Sequence, residues 1–239
     1  MTVLAAMQSA AIRLLGRKPA PFFGSSQQFE LEMCDLVNEV AEDVAKYTDW
    51  QALIRIGTVA GDGATTEFNL PDDYDRFPLT ASIQDYTNWA WGYGHYLDLD
   101  HFLFDEARDF NALPGGWIIY GDVMRFSPAP ASGAQARFPY ITKNIVQAFS
   151  TATKEDFTAD DDEFLLPERL LTLGLVWRWR ENKGLDASGD QEAFIKALDE
   201  YAAKQKGPVV IRRNGGGRFG NTQMAYPWEL QGASYWPLV

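Results

Sequence analysis

The stretch "EFLLPERLLTLGLVWRWRENKG", Glu163 to Gly184, constrains the fold more than any other. It reads as a helix that opens at Pro167, where a missing N–H costs nothing, and stops at Gly184. On a wheel of about 100° per residue, Leu170, Leu173 and Trp177 fall on one side. Leu171 and Leu175 fall on another, and Val176 and Trp179 on a third. Charges stand only in the first turn (Glu168, Arg169) and the last (Arg178, Arg180, Glu181). A helix that is apolar all round has to be covered all round. Either the rest of the chain supplies that cover or a second copy does. Leu170, Leu173, Val176, Trp177 and Trp179 are therefore candidates for a subunit interface, where Trp and Arg are favoured. The alternative is a central helix wrapped inside one subunit.

Three further helices can supply cover. The first spans Thr2 to Leu15 and stops at Gly16. The second opens at Ser25, with Gln28 completing a capping box. Phe29, Met33, Leu36, Val37, Val40, Val44 and Tyr47 recur on one of its faces, and Glu30, Glu32, Glu39, Glu42 and Asp43 occupy the other. The last runs from Asp190 to Gln205, with Phe194, Ile195, Leu198 and Tyr201 on one face. The acidic run Asp160–Glu163 is expected to be a solvated loop that favours the positive end of the helix after it.

Between Trp50 and residue 150 the period changes to two. Strands are expected near Leu53–Val59 and Thr65–Leu70, joined as a hairpin by Gly61-Asp62-Gly63. Leu79–Ile83 and Ala136–Ile141 are further strands. Trp117–Tyr120 and Val123–Ser127 form a tight hairpin at Gly121-Asp122. "DLDHFLFDEARDF" suggests a short helix. The expected class is α+β: a four-helix bundle with an inserted small antiparallel β domain and an extended C-terminal arm. The divisions are 1–50 and 151–206 for the bundle, 51–150 for the insertion and 207–239 for the arm.

Composition narrows the function classes. The chain is ordinary for a globular protein at 46% apolar and 23% charged residues, with a net charge of −12. Such acidity argues against broad affinity for nucleic acid or anionic lipid. A single cysteine, Cys34, excludes an internal disulfide and a Cys-based zinc site. It reads as a packing thiol. The N-terminal basic residues follow the apolar run, the wrong order for a secretory signal, and no run reaches bilayer length. The expected compartment of synthesis is the cytoplasm, with no membrane partner.

The candidate chemistry is thin. "HYLDLDH" places His95, Asp98, Asp100 and His101 at a spacing that converges on neither a helix nor a strand, so a structural role is expected over a metal-dependent hydrolase. Gly61–Gly63 lacks the remaining oxygen ligands of a calcium loop. Gly215–Gly217 lacks the Lys-Ser/Thr of a phosphate loop. No catalytic, cofactor or metal residues are assigned, and the chain is expected not to be an enzyme. Trp89, Trp91, Tyr93, Tyr96 and Trp117 offer a second reading, a carbohydrate- or peptide-binding module.

The C-terminal segment differs from the body. From Lys206 onward four bases face one acid, a net +3, so residues 1–205 carry −15. Arg212, Arg213, Arg218, Phe219, Tyr226, Trp228, Tyr235 and Trp236 sit in a stretch too rich in Gly and Pro to fold alone. Such a segment docks on its own domain or on a partner.

The order of elements is similar to that of the head-to-tail adaptor (connector) proteins of tailed bacteriophages and related gene transfer agents. Two helices precede a β insertion with "GDGATTEFNLPDDY" and "GGWIIYGDVMRFSPAP"; then come "FLLPERLLTLGLVWRWRENKGLD", "FIKALDEYAAK" and an extended tail. The resemblance implies a structural virion protein of the neck, between capsid and tail. It implies a ring, commonly of twelve copies, beneath the portal protein, sealing the DNA channel and presenting a platform to a downstream tail or nozzle protein. The residues of the C-terminal segment named above would then reach the portal. Double-stranded DNA would pass the acidic channel without specific binding.

Overall fold

The computed structural model describes residues 2–78, 82–85, 89–107 and 115–205. Among these are five helices: α1 (Val3–Leu15), α2 (Gln28–Tyr47), α3 (Leu99–Ala107), α4 (Glu168–Asn182) and α5 (Ser188–Gln205). Eight strands form one large sheet: β1 (Ile54–Ala60), β2 (Glu67–Asn69), β3 (Tyr74–Arg76), β4 (Ile83–Asp85), β5 (Trp89–His95), β6 (Gly116–Tyr120), β7 (Val123–Ser127) and β8 (Gln135–Thr142). A small sheet adds β9 (Val146–Gln147), β10 (Thr153–Lys154) and β11 (Glu163–Phe164). The α+β class expected from the sequence holds.

Helix ends follow local chemistry. Gly16 closes α1 in the left-handed conformation (φ 68°), its N–H bonded to Ile12 O. The capping box does not form at α2. Gln27 is the N-terminal flanking residue, Ser25 Oγ accepts from Gln27 N–H, and Gln28 instead donates to Glu32 one turn on. At the end of α4, Leu185 N–H reaches Arg180 O and Gly184 N–H reaches Glu181 O, with Gly184 at φ 68°. That is a Schellman motif, which the Gly signal foretold. Pro167 precedes the first helical residue rather than occupying it. Asp186 caps α5 by accepting from the N–H and hydroxyl of Ser188.

The large sheet runs β1-β8-β4-β5-β6-β7-β2, with β3 also on β8, and it is nearly barrel-shaped. The expected β1–β2 hairpin is not made. β1 pairs with β8, from Ile54 opposite Ile141 to Ala60 opposite Gln135, and β2 pairs with β7. The Gly-Asp-Gly segment bonds the 130–134 loop instead: Gly61 N–H to Ala134 O, Gly63 N–H to Pro130 O, and Gly133 N–H to Gly61 O. Asp62 accepts from the Thr65 hydroxyl and from the N–H groups of Thr65 and Ala64, bonds that draw its carboxyl down to about 2. The β6–β7 hairpin forms as expected, with Gly121 at φ 58°.

A Cβ on Gly61 would lie 2.4 Å from Ala131 O, a backbone atom that cannot swing aside. Gly61→Ala is expected to lower stability by about 2 kcal/mol. Urea unfolding measures it; a neutral result would mean that the two loops are not held in register.

The sheet is also not wholly antiparallel. β5 runs parallel to β6, Gly94 opposite Gly116 and His95 opposite Trp117, and the crossover between them carries α3. A parallel pair needs such a crossover. β5 has few aliphatic β-formers and two glycines, Gly92 and Gly94, which hides its period from sequence reading.

Two apolar cores result. One joins α1, α2, α4 and α5 with the 141–166 segment, and Trp50, Met7, Phe22 and Leu171 are fully buried in it. The other lies on the inner face of the sheet, around Trp117, Phe126, Met124 and Phe138.

Candidate functional site

The central feature is α4, which packs against α1, α2 and α5. Leu170, Leu171, Gly174, Leu175 and Val176 are buried inside this one chain. Of the five residues considered for a subunit interface, Leu170 and Val176 thus have their surfaces taken by their own subunit. Leu173, Trp177 and Trp179 stay partly exposed. Trp177 stacks on Phe194 of α5, with ring centres 5.4 Å apart, and Trp179 meets Phe29 of α2 edge-on at 5.7 Å.

The closeness of this packing rests on Gly174. A Cβ there would come within 2.4 Å of Val40 on α2 and 3.1 Å of Phe194 on α5. Only a residue without a side chain lets the three helices approach in this way.

The last turn of α4 is tied to its neighbours by charge. Arg178 bonds Asp43 at 2.8 Å and lies near Glu39 (3.5 Å) and Glu181 (3.4 Å), with its guanidinium over the Trp177 ring. The Asp43 carboxylate, then the other acids, raise the Arg178 pKa despite its partial burial. Lys183 bonds Glu32 at 2.7 Å, and Glu32 also accepts from the Trp179 indole at 3.1 Å. These donors pull the Glu32 pKa down, with Lys183 the largest cause. Arg180 pairs with Asp190 of α5. Part of the acidic face of α2, which reads as solvent-facing in sequence, is therefore a set of partners for α4. The spacing of Glu32, Glu39 and Asp43 against Arg178 and Lys183 was the available signal.

The acidic run is a solvated loop only in part: Asp161 and Glu163 are exposed, but Asp160 and Asp162 are engaged. The Asp160 and Asp162 carbonyls accept from Leu4 and Val3 N–H, groups that lack intrahelical partners at the start of α1. The Asp160 carboxylate accepts from Phe22 and Phe23 N–H at 3.1–3.2 Å. Asp162 is buried and accepts from Thr158 N–H, Ala159 N–H and the Lys154 ammonium at 2.8, 2.9 and 2.6 Å.

Between the helical core and the sheet lies a cleft of about 190 Å³, lined by α2, β3, β8 and the segments that follow β8, with Asn38, Lys46, Arg76 and Lys143 among its lining residues. Arg76 holds the two parts together there. It donates to Ala45 O and Thr48 O at the end of α2, and pairs with Asp75 and Asp49.

The histidine segment is placed by ring packing and hydrogen bonding. His95 stacks flat on buried Trp117, 4.2 Å between centres, and burial lowers its pKa. His101 lies 3.9 Å from Asp105, to which Tyr96 donates. An open hollow beside them takes in His95, Asp98 and His101. Among the described residues, no three His, Cys, Asp or Glu side chains gather to hold a metal. Burial, followed by Asp160 and Glu30, pushes the Cys34 thiol up to about 11, so it is not a thiolate at neutral pH.

The aromatic platform suggested for sugars also loses members. Tyr93 and Trp117 are buried in the sheet core, and Tyr96 meets Phe102 edge-on. The side chains of Trp89 and Trp91 lie outside the description, as do Arg212, Arg213, Arg218, Phe219, Tyr226, Trp228, Tyr235 and Trp236. No helix among the described residues is long and apolar enough to cross a membrane.

A family model described as "SU10 adaptor protein" matches residues 1–215. The chain belongs to the SU10 adaptor family. Its members are phage head-to-tail adaptors, the family that the sequence resembles. The match takes in both cores and Arg212 and Arg213, and stops before Arg218 and the C-terminal aromatics. No curated protein matches the chain.

Proposed function

We propose that this adaptor assembles as a ring, of twelve copies by analogy with similar adaptors, that docks beneath the portal protein of a tailed phage. The ring continues the DNA channel and presents the sheet region to a downstream tail or nozzle protein. It belongs to the virion neck and performs no catalysis. The family match over residues 1–215 carries this reading. The net charge of −15 on residues 1–205 supports it, because carboxylates facing a channel repel phosphates and let the duplex slide. Residues 207–239 form the arm that engages the portal, through the three arginines and the aromatics named above. Leu173, Trp177 and Trp179, the accessible part of α4, are candidates for contact with a neighbouring subunit.

The test is the mass of the purified chain, with and without residues 207–239, alone and mixed with portal protein. A ring-sized species, or capture by portal that is lost with the arm, is expected. A monomer that ignores portal in both forms would overturn the proposal.

A further inference from the structure

Residues 1–18 contain no carboxylate and end in three bases, Arg13, Arg17 and Lys18, on an otherwise acidic protein. All three are exposed at the C-terminal end of α1. Ile12 and Leu15 are exposed among them, at 49% and 41%. Arg17 is partly neutralised by Glu30, at 3.1 Å, and Leu31 beside Glu30 is also exposed. Arg13 and Lys18 make no ion pair among the described residues. The outer face of α5 has an acidic excess: Glu192, Asp199 and Glu200 are exposed around the base Lys196. Glu192 and Glu200 are exposed and have no pairing partner among the described residues, and Ile195 and the preceding Leu185 are exposed at 45% and 54%.

We propose that the α1 end of one copy, with Ile12, Arg13, Leu15 and Lys18, docks on the outer α5 face of the next copy, with Leu185, Glu192, Ile195 and Glu200. The occupant of each patch is a second copy of this chain. The charges select the mode of association. A two-fold contact sets each patch against itself, here base against base or acid against acid, which repels. A head-to-tail contact pairs base with acid around two apolar centres, and repeating it generates a ring when the rotation closes. Helices α1 and α5 each pack on α4, so the rigid hub that fills the core also fixes the angle between the two patches. The inference rests on the ring proposed above and names the surfaces that build it.

The experiment uses the full chain, sized by sedimentation over a concentration series, alone and with portal protein. One variant carries Arg13→Glu with Lys18→Glu, a second Glu192→Lys with Glu200→Lys, and a third carries all four. Ile12→Asp and Ile195→Asp probe the apolar centres independently. Circular dichroism and unfolding midpoints are expected to match wild type, because every altered side chain is exposed. Each charge-reversed pair is expected to raise the ring-to-monomer midpoint by about tenfold or more, and the fourfold variant to recover most of that loss. Unchanged midpoints, or a fourfold variant that stays dissociated, would overturn the assignment. So would intact rings that lose portal capture, since the patches would then belong to the portal. A wild-type chain that forms no ring under either condition removes the ring itself, which is a different failure.

Discussion

Gly174→Val is expected to destabilise the protein by about 4 kcal/mol. Gly174→Ala separates the opposing effects. Alanine in place of glycine within a helix is worth about 1 kcal/mol in its favour. Against that, its methyl would sit 2.4 Å from Val40 Cγ1 and 3.1 Å from the Phe194 ring. Val40 is β-branched on a helix and has almost no other rotamer to adopt. Overpacking of this kind costs about 1–3 kcal/mol, so a net loss is expected. Val40→Ala removes the obstructing atom. In the Gly174→Ala background it should cost far less than it does alone, a coupling of about 1 kcal/mol or more. Urea unfolding of the four proteins provides the cycle. A stabilising Gly174→Ala would refute the close approach of α4 to α2.

Asp162→Ala is expected to cost about 3 kcal/mol at neutral pH, because it strands the Thr158 and Ala159 N–H groups and removes the partner of Lys154. Those N–H groups hold the loop whose carbonyls receive the start of α1, so the loss is felt in the helical core. The pH dependence has a defined sign. Burial pushes the Asp162 carboxyl up, but Lys154 and the two N–H donors outweigh it and the pKa ends below the ordinary value. A carboxyl depressed in the folded state contributes fully above its unfolded pKa of about 4. That contribution is lost as pH falls from there through the folded value. The gap in stability between wild type and Asp162→Asn should therefore narrow below about pH 4. Denaturant unfolding at pH 7 and pH 3 reads it, and a gap that widened in acid would refute the assignment of Asp162 as a stabilising anion.

Much of the helical part was legible because its signals are local. A 3.6-residue period, a glycine after the last turn and a proline before the first place α1, α2, α4 and α5 to within a few residues of where they lie. The β region was less legible. Strands could be found, but the partner of a strand is not written in its own residues. β1 and β2 are close in sequence and carry a turn signal between them, yet β8 outcompetes β2 for β1 by offering a seven-residue register against three. β5 was missed because aromatics and glycines give it no clean alternation. Asp160 read as solvated because the groups that need its oxygens are on α1 and the 22–23 segment, more than 130 residues earlier; the Asp162 carboxylate serves donors only three to eight residues away, but no periodic pattern marks them.

The sequence by itself determined that this chain needs a helix covered on every side, that it is α+β, and that it resembles the phage adaptors to which the family match assigns it. Composition and period suffice for this, since burial demands follow from where the apolar side chains fall on each element. Only the tertiary structure decided what does the covering. Gly174 lets α2 and α5 come close enough, and α1 closes the remaining side, so most of the apolar surface of α4 is spent within one subunit. Which long-range surfaces meet depends on how all the elements fit at once, and no single stretch of residues encodes that.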